Sequence, residues 1–307
     1  MYIKHFDNIT WLKEFAQRAR CRELRAEIFQ QTIEIVTSEG YTLHGNKIAV
    51  DKAEIATKTQ FFDTPILLPK NEHCHDTKFS VIEADCLEVA ELLLKAGFTP
   101  CVLNMASWRN PGGGVLNGSG AQEENLFRRS NLFASLYQFA GYAAQYGIVK
   151  HEKQYPLDPN FGGIYSPEVT VFRSSESSGY ALLNAPFQTS VVSVAALNNP
   201  EWKEINGRLH IVPHLIEPTK EKMRTILRIA AKYNHTALVL SAFGCGAFGN
   251  PPEHIALLFE EVFAETEFKG RFALVVFAII TDHNNNRAHN PNGNFEPFRE
   301  VFGKKII

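Results

Sequence analysis

The strongest constraint on this chain is the succession of strand, helix, glycine and strand between residues 79 and 104. Residues 79–84 read as a strand, residues 86–95 carry apolar positions at helical spacing, Gly97 stops that helix, and residues 100–104 form an apolar strand. That order is a βαβ unit, and such a crossover commits the chain to parallel strands. Further along, residues 191–197, 237–242 and 272–280 read as strands, and residues 217–233 and 254–263 as helices. Near-continuous apolar strands alternating with helices predict a three-layer α/β/α domain with a mixed, largely parallel central sheet.

The flanking regions are read less sharply. Residues 10–38 repeat Leu12, Phe15, Leu24, Ile28, Phe29, Ile33 and Val36 near helical spacing, which predicts a helical layer. We therefore expect an N-terminal helical extension over residues 1–75, packed on a catalytic core over residues 76–307. Gly40 and Gly45 punctuate a hairpin-like passage, and the polar, proline-interrupted residues 50–78 receive no assignment. Pro156, Pro159, Gly162, Gly163, Pro167 and a serine cluster predict a long surface excursion over residues 147–180, with one short strand at 169–173.

Composition excludes several classes of function. A chain of 307 residues with 45% hydrophobic and 11% aromatic content can bury a large core. A formal charge of −2 and a pI near 6.6 argue against indiscriminate nucleic-acid or membrane-surface binding, so a polyanionic ligand has to be held locally, and no sequence-specific nucleic acid or membrane partner is expected. Five scattered cysteines fit a reducing compartment, and no run approaches about 18 apolar residues. No export signal is read at the N-terminus, so a cytoplasmic protein is expected, with delivery into another cell left open.

Chemistry concentrates in two glycine-rich stretches. Gly112, Gly113 and Gly114 are followed, after seven residues, by Gln122, Glu123 and Glu124. A run without Cβ atoms lets the backbone approach a ligand and aim N–H groups at it. Adjacent carboxylates, if buried, resist ionising together, so one can hold a proton and act as a general acid. Residues 123–146 have helical periodicity, which puts both acids at the positive end of a helix. The second stretch, Gly244, Cys245, Gly246, Ala247, Phe248, Gly249 and Asn250, follows the strand at 237–242 and leads into a helix, the order expected of a phosphate cradle. It lies too late in the chain for a dinucleotide fingerprint and lacks a ribose-binding acid about 20 residues on, which disfavours an NAD-dependent oxidoreductase.

The triple glycine, seven-residue spacer and Gln-Glu-Glu resemble the signature of bacterial-type poly(ADP-ribose) glycohydrolases, a macrodomain family. Glu83-Ala84-Asp85, Asn104-Met105-Ala106, Tyr165-Ser166-Pro167, Val171-Phe172-Arg173 and residues 244–252 extend the resemblance over roughly residues 10–302. It implies a glycosidase that cleaves ribose–ribose bonds of poly(ADP-ribose) or ADP-ribosylated proteins and releases ADP-ribose, with no metal and no cofactor. By the same resemblance Glu124 is the general acid and then the base, and Glu123 binds the terminal ribose hydroxyls. Gln122 and Asn104 brace them, and Gly112–Gly114 cover the diphosphate and distal ribose. Gly244 to Asn250 clasp the phosphates through backbone N–H groups, Phe248 packs on the distal ribose, and Asp85 reads the adenine amino group. The alternatives are a mono-ADP-ribosyl-protein hydrolase and a macrodomain that binds ADP-ribose without cleaving it.

Other residues are read more plainly. His73, Cys74, His75 and Asp76 lack a second ligand group at zinc spacing and are expected to have structural or surface roles. Asp85 has a competing role as a helix N-cap. Cys245 has no neighbouring base and is expected to pack, and Arg128 and Arg129 are expected on a solvated helix face. Asn294 and Phe295 lie where macrodomains often line the nucleoside pocket.

Overall fold

A computed structural model describes residues 6–72, 74–281 and 286–303. The helices α1 (Asn8–Ala16) and α2 (Cys21–Thr37) lead into the hairpin β1 (Gly40–Leu43) and β2 (Asn46–Ala49), then α3 (Ala53–Lys58) and β3 (Gln60–Phe62). Next come β4 (Lys78–Ile82), α4 (Cys86–Lys95), β5 (Pro100–Met105), α5 (Gln122–Arg129), α6 (Leu132–Leu136), β6 (Gly163–Arg173) and β7 (Leu182–Val194). The chain closes with β8 (Trp202–Ile205), β9 (Arg208–Ile211), α7 (Pro213–Lys232), β10 (Ala237–Leu240), α8 (Pro252–Ala264), β11 (Leu274–Ala278) and α9 (Phe295–Phe302).

Seven strands make one sheet in the order β3-β6-β7-β5-β10-β11-β4. The pairs β5/β10, β10/β11 and β11/β4 are all parallel, with Cys101 opposite Leu238 and Val275 opposite Phe79. The expected βαβ crossover is therefore present, but β10 and β11 lie between its two strands. Local chemistry fixes its ends: the Asp85 carboxylate accepts from the N–H groups of Leu87 (2.9 Å) and Glu88 (3.1 Å), and Gly97 takes a positive φ of 85° beyond the helix. Pro252 opens α8 at its first position, where a missing N–H costs nothing.

The chain divides into two compact units. The first comprises residues up to Gln60, Ala106–Pro156 and Ile164–Val191. Its core is aromatic: Phe29, Phe127, Phe133 and Tyr137 pack edge-on or tilted, with centroids 5.6–6.5 Å apart. The second comprises Phe61–Met105, Leu157–Gly163 and residues from Val192 onward. There Phe277 meets Phe259 at 5.5 Å, Phe298 at 5.1 Å and Phe302 at 4.5 Å, joining α8 and α9 to β11.

Two expectations need correcting. The helix expected over residues 123–146 is broken: α5 stops at Arg129, Ser130 is fully extended (φ −147°, ψ 174°), and α6 with two single 3₁₀ turns follows. The Ser130 hydroxyl bonds the Leu126 carbonyl at 2.7 Å and accepts from Leu132 N–H at 3.3 Å, so one side chain satisfies groups on both sides of the break. The surface excursion expected over residues 147–180 contains β6, an 11-residue strand that is buried over most of its length. Pro167 obscured it in the sequence, and the following Glu168 takes a left-handed φ of 53° within the strand.

Candidate active site

Within the first unit, the first turn of α5 carries the two acids, as expected. No side chain caps this helix, and the acids reach back to the loop that follows β5. Glu123 accepts from Ser107 N–H through Oε2 (2.7 Å) and from Gly112 N–H through Oε1 (3.0 Å). Glu124 accepts from Gly114 N–H through Oε1 (2.9 Å), while its buried Oε2 has no partner among the described residues. The two residues are only 4% and 7% exposed, so fixed main-chain dipoles replace water around them.

This geometry explains the glycines. Gly113 has a φ of 52°, and a Cβ there would lie 2.7 Å from Glu124 Oε1 and 3.2 Å from Glu123 Oε2. Gly112 has a φ of 79°, and its Cβ would lie 2.5 Å from the Phe127 ring. The third N–H of the run, that of Gly113, donates to Asn110 O at 3.2 Å. All three glycine N–H groups are thus used inside the protein, two of them on the carboxylates. Nearby phenols are protonated: burial, then Tyr146 and the Glu123 charge, push Tyr142 up to about 12.

Arg128 and Arg129 are not on a solvated face. Arg128 is fully buried, donating from Nε to Tyr180 Oη (2.8 Å) and from Nη1 to the Ser119 carbonyl (2.7 Å). Tyr180 Oη donates to Glu176 Oε2 (2.9 Å), and Arg25 grips Glu176 with two bonds of 2.6 and 2.7 Å. Burial pushes the Glu176 carboxyl up, but the Arg25 pair outweighs it and holds it below the usual carboxylate range. Arg129 donates to the Arg173 carbonyl at 3.2 Å. Ser119 lies between the glycines and α5, so this network tethers the segment that sets the acids against their donors. Sequence reading missed Ser107 because its contribution is a backbone N–H, which no side chain advertises. It misread the arginines because their acceptors come from residues some 50 positions away or from carbonyls. Gln122 opens α5 beside the acids and is part-buried.

The second unit holds the other expected residues. After β10 the chain turns through Gly244 (φ 74°), where a Cβ would lie 2.6 Å from both Ala196 Cβ and Asn250 Nδ2. Asn250 faces inward: its Nδ2 donates to the carbonyls of Leu197 (2.7 Å), Gly244 (3.1 Å) and Phe248 (3.2 Å), and its own N–H donates to Gly244 O (3.1 Å). Gly249 N–H donates to Gly246 O at 3.3 Å. Among the described residues, the N–H groups of Gly246, Ala247 and Phe248 donate to nothing, and Ala247 is exposed. Three successive unpaired N–H groups after a parallel strand leave a set of donors free for an outside acceptor.

From below, the Cys245 carbonyl accepts from Asn290 Nδ2 at 3.2 Å, and Asn290 Nδ2 also donates to Asn294 Oδ1 at 2.8 Å. Asn294 is therefore a brace for this loop, and Phe295 opens α9. The Cys245 thiol is fully buried and pushed well above its ordinary value by burial, so it packs and does not attack. Asn104 is buried on β5, donating to Ser193 Oγ at 3.0 Å, with no partner for its Oδ1 among the described residues. Asp85 realises its capping role on α4. His73 lies outside the described residues, among which no group of three or more His, Cys, Asp or Glu side chains is placed to hold a metal. No described helix is long and apolar enough to cross a membrane.

The family model for the microbial-type PARG catalytic domain matches residues 29–174, the stretch that contains the glycine loop and both acids. The chain is similar to the poly(ADP-ribose) glycohydrolase of Thermomonospora curvata bound to the inhibitor ADP-HPD, with 29% identity, a TM-score of 0.71, and coverage of 92% of this chain and 100% of that one. It is also similar to the Deinococcus radiodurans poly(ADP-ribose) glycohydrolase in complex with ADP-ribose, with 26% identity, a TM-score of 0.59, and coverage of 81% and 95%. No curated protein matches. Sequence match and fold together make this chain similar to bacterial poly(ADP-ribose) glycohydrolases, with residues 29–174 matching the microbial-type catalytic domain.

Proposed function

We propose that this chain hydrolyses the ribose–ribose glycosidic bond of poly(ADP-ribose) and releases ADP-ribose, with Glu124 as general acid and then general base. The observation that carries this reading is the unequal state of the two acids. Both oxygens of Glu123 are occupied by backbone donors, whereas Glu124 has one oxygen pinned to Gly114 N–H and one without a partner. A pinned carboxyl with one open oxygen suits proton delivery to a defined place.

In the reaction, Glu124 Oε2–H gives its proton to the departing ribose oxygen as the bond to the anomeric carbon breaks. The sugar left behind is an oxocarbenium-like cation, which two buried carboxylates stabilise electrostatically. Glu124, now ionised, takes a proton from the attacking water, and the new C–O bond completes ADP-ribose. Glu123, already fixed, positions the terminal ribose hydroxyls. Gln122 and Asn104 support this placement, and Gly112–Gly114 lie over the substrate while holding the acids.

The donor set at Gly246, Ala247 and Phe248 binds the diphosphate, with Gly244, Cys245, Gly249 and Asn250 shaping it and Phe248 against the distal ribose. Asp85 accepts from the adenine amino group while capping α4. The test is a side-by-side assay on poly-, serine-, arginine- and glutamate-linked ADP-ribose with ADP-ribose release as the readout. Rapid release from the polymer is expected. Release confined to a mono-linked substrate would assign the site to a different bond.

A further inference from the structure

The loop between β5 and α5 carries two side chains that the catalytic roles leave unused. Trp108 is 37% exposed, and the Arg109 guanidinium lies 4.8 Å from its ring centroid. Both directly follow Ser107, and the N–H groups of Ser107 and Gly112 are the two donors that hold Glu123. Residues 107–112 thus form a short arc fastened at both ends to one carboxylate. Inside the arc, Ser107 Oγ accepts from the N–H groups of Arg109 (3.3 Å) and Asn110 (3.4 Å), and Asn110 O accepts from Gly113 N–H (3.2 Å). The backbone beneath the pair is fixed while the two side chains reach solvent. Among the described residues Arg109 pairs with no carboxylate, so its charge is available.

We propose that Trp108 and Arg109 form an accessory subsite for the ADP-ribose unit adjoining the one that is cleaved, Trp108 stacking on its adenine and Arg109 contacting its diphosphate. This rests on the glycohydrolase reading above, because only a polymer continues past the cleaved bond. Each repeat of that polymer offers one purine and one diphosphate, the complement of one indole and one guanidinium. Arg109 occupies one face of the indole, and a base stacks on the other. Because the arc is anchored to Glu123, a unit held there stands next to the acids without touching their hydrogen bonds.

Binding is tested on a Glu124→Gln background, with free ADP-ribose and long poly(ADP-ribose) as probes, and turnover on the otherwise unchanged chain. Trp108→Ala should weaken polymer binding about tenfold, the effect of losing one base stack, and leave ADP-ribose binding unchanged. Trp108→Phe should keep most of the affinity, and Arg109→Gln should weaken polymer binding while flattening its salt dependence. In turnover, Trp108→Ala should raise KM for polymer with kcat held. Equal polymer affinity with and without Trp108, or parallel losses for polymer and free ADP-ribose, would overturn the subsite. A chain that binds polymer through Trp108 yet releases no ADP-ribose would overturn the glycohydrolase reading and leave the subsite standing.

Discussion

The loop that follows β5 and the loop that follows β10 are both rich in glycine, yet their N–H groups are used in opposite ways. In the first, the N–H groups of Gly112 and Gly114 bond Glu123 and Glu124 at 3.0 and 2.9 Å, and that of Gly113 bonds Asn110. In the second, the N–H groups of Gly246, Ala247 and Phe248 bond nothing among the described residues. The first loop does meet acceptors, but they are the protein's own two carboxyl groups. A run of glycines therefore marks close approach by something, and whether that is a ligand or a side chain depends on where acceptors lie after folding.

This contrast is most easily broken at Gly113. A Cβ there lies 2.7 Å from Glu124 Oε1 on a left-handed backbone, so Gly113→Ala should push both carboxylates off their donors. We expect kcat to fall by about 100-fold or more, the usual result of misplacing a catalytic group by about 1 Å, with ADP-ribose affinity changed far less. Steady-state kinetics beside a binding titration checks this. In the second loop the order reverses: Ala247→Pro deletes one unpaired N–H, so ADP-ribose affinity should fall about tenfold while stability barely moves. A loss of stability comparable to the loss of affinity would mean that this N–H is part of the fold.

Smaller effects come from what supports each loop. Tyr180→Phe removes the acceptor of Arg128 Nε, and leaving that buried donor unpaired should cost about 1–3 kcal/mol in urea unfolding, with ADP-ribose affinity retained. Behind the second loop, His254 Nδ1 accepts from Ile211 N–H at 2.9 Å, and burial, reinforced by His210, pushes its pKa down to about 4. Its folded value lies below the unfolded one, so the contribution is complete above about pH 6.5 and is lost as pH falls toward 4. Thermal unfolding across that window should show a decline that His254→Asn reduces.

Features governed by short-range chemistry were legible in the sequence. Asp85 and Gly97 define α4 to the residue, and α8 starts at Pro252, two residues before the expected 254. The two acids fall at a helix start because that position is local too. What depended on distant partners was not legible: that β10 and β11 lie between β4 and β5, that Arg128 turns inward to Tyr180 and Ser119, and that β6 runs through Pro167. The hairpin β8/β9 escaped notice because its strands are four residues each and half exposed, which leaves too short an apolar alternation to read. The site divided the same way, with the carboxylates visible and Ser107 N–H invisible.

The division of labour between Glu123 and Glu124 is the central claim, and Glu124→Gln tests it most directly, because glutamine keeps the shape and can still accept from Gly114 N–H but cannot deliver a proton. ADP-ribose release from poly(ADP-ribose) should fall by about 10²–10⁴-fold with ADP-ribose affinity within about twofold of the wild type. Near-full turnover by Glu124→Gln would contradict the account.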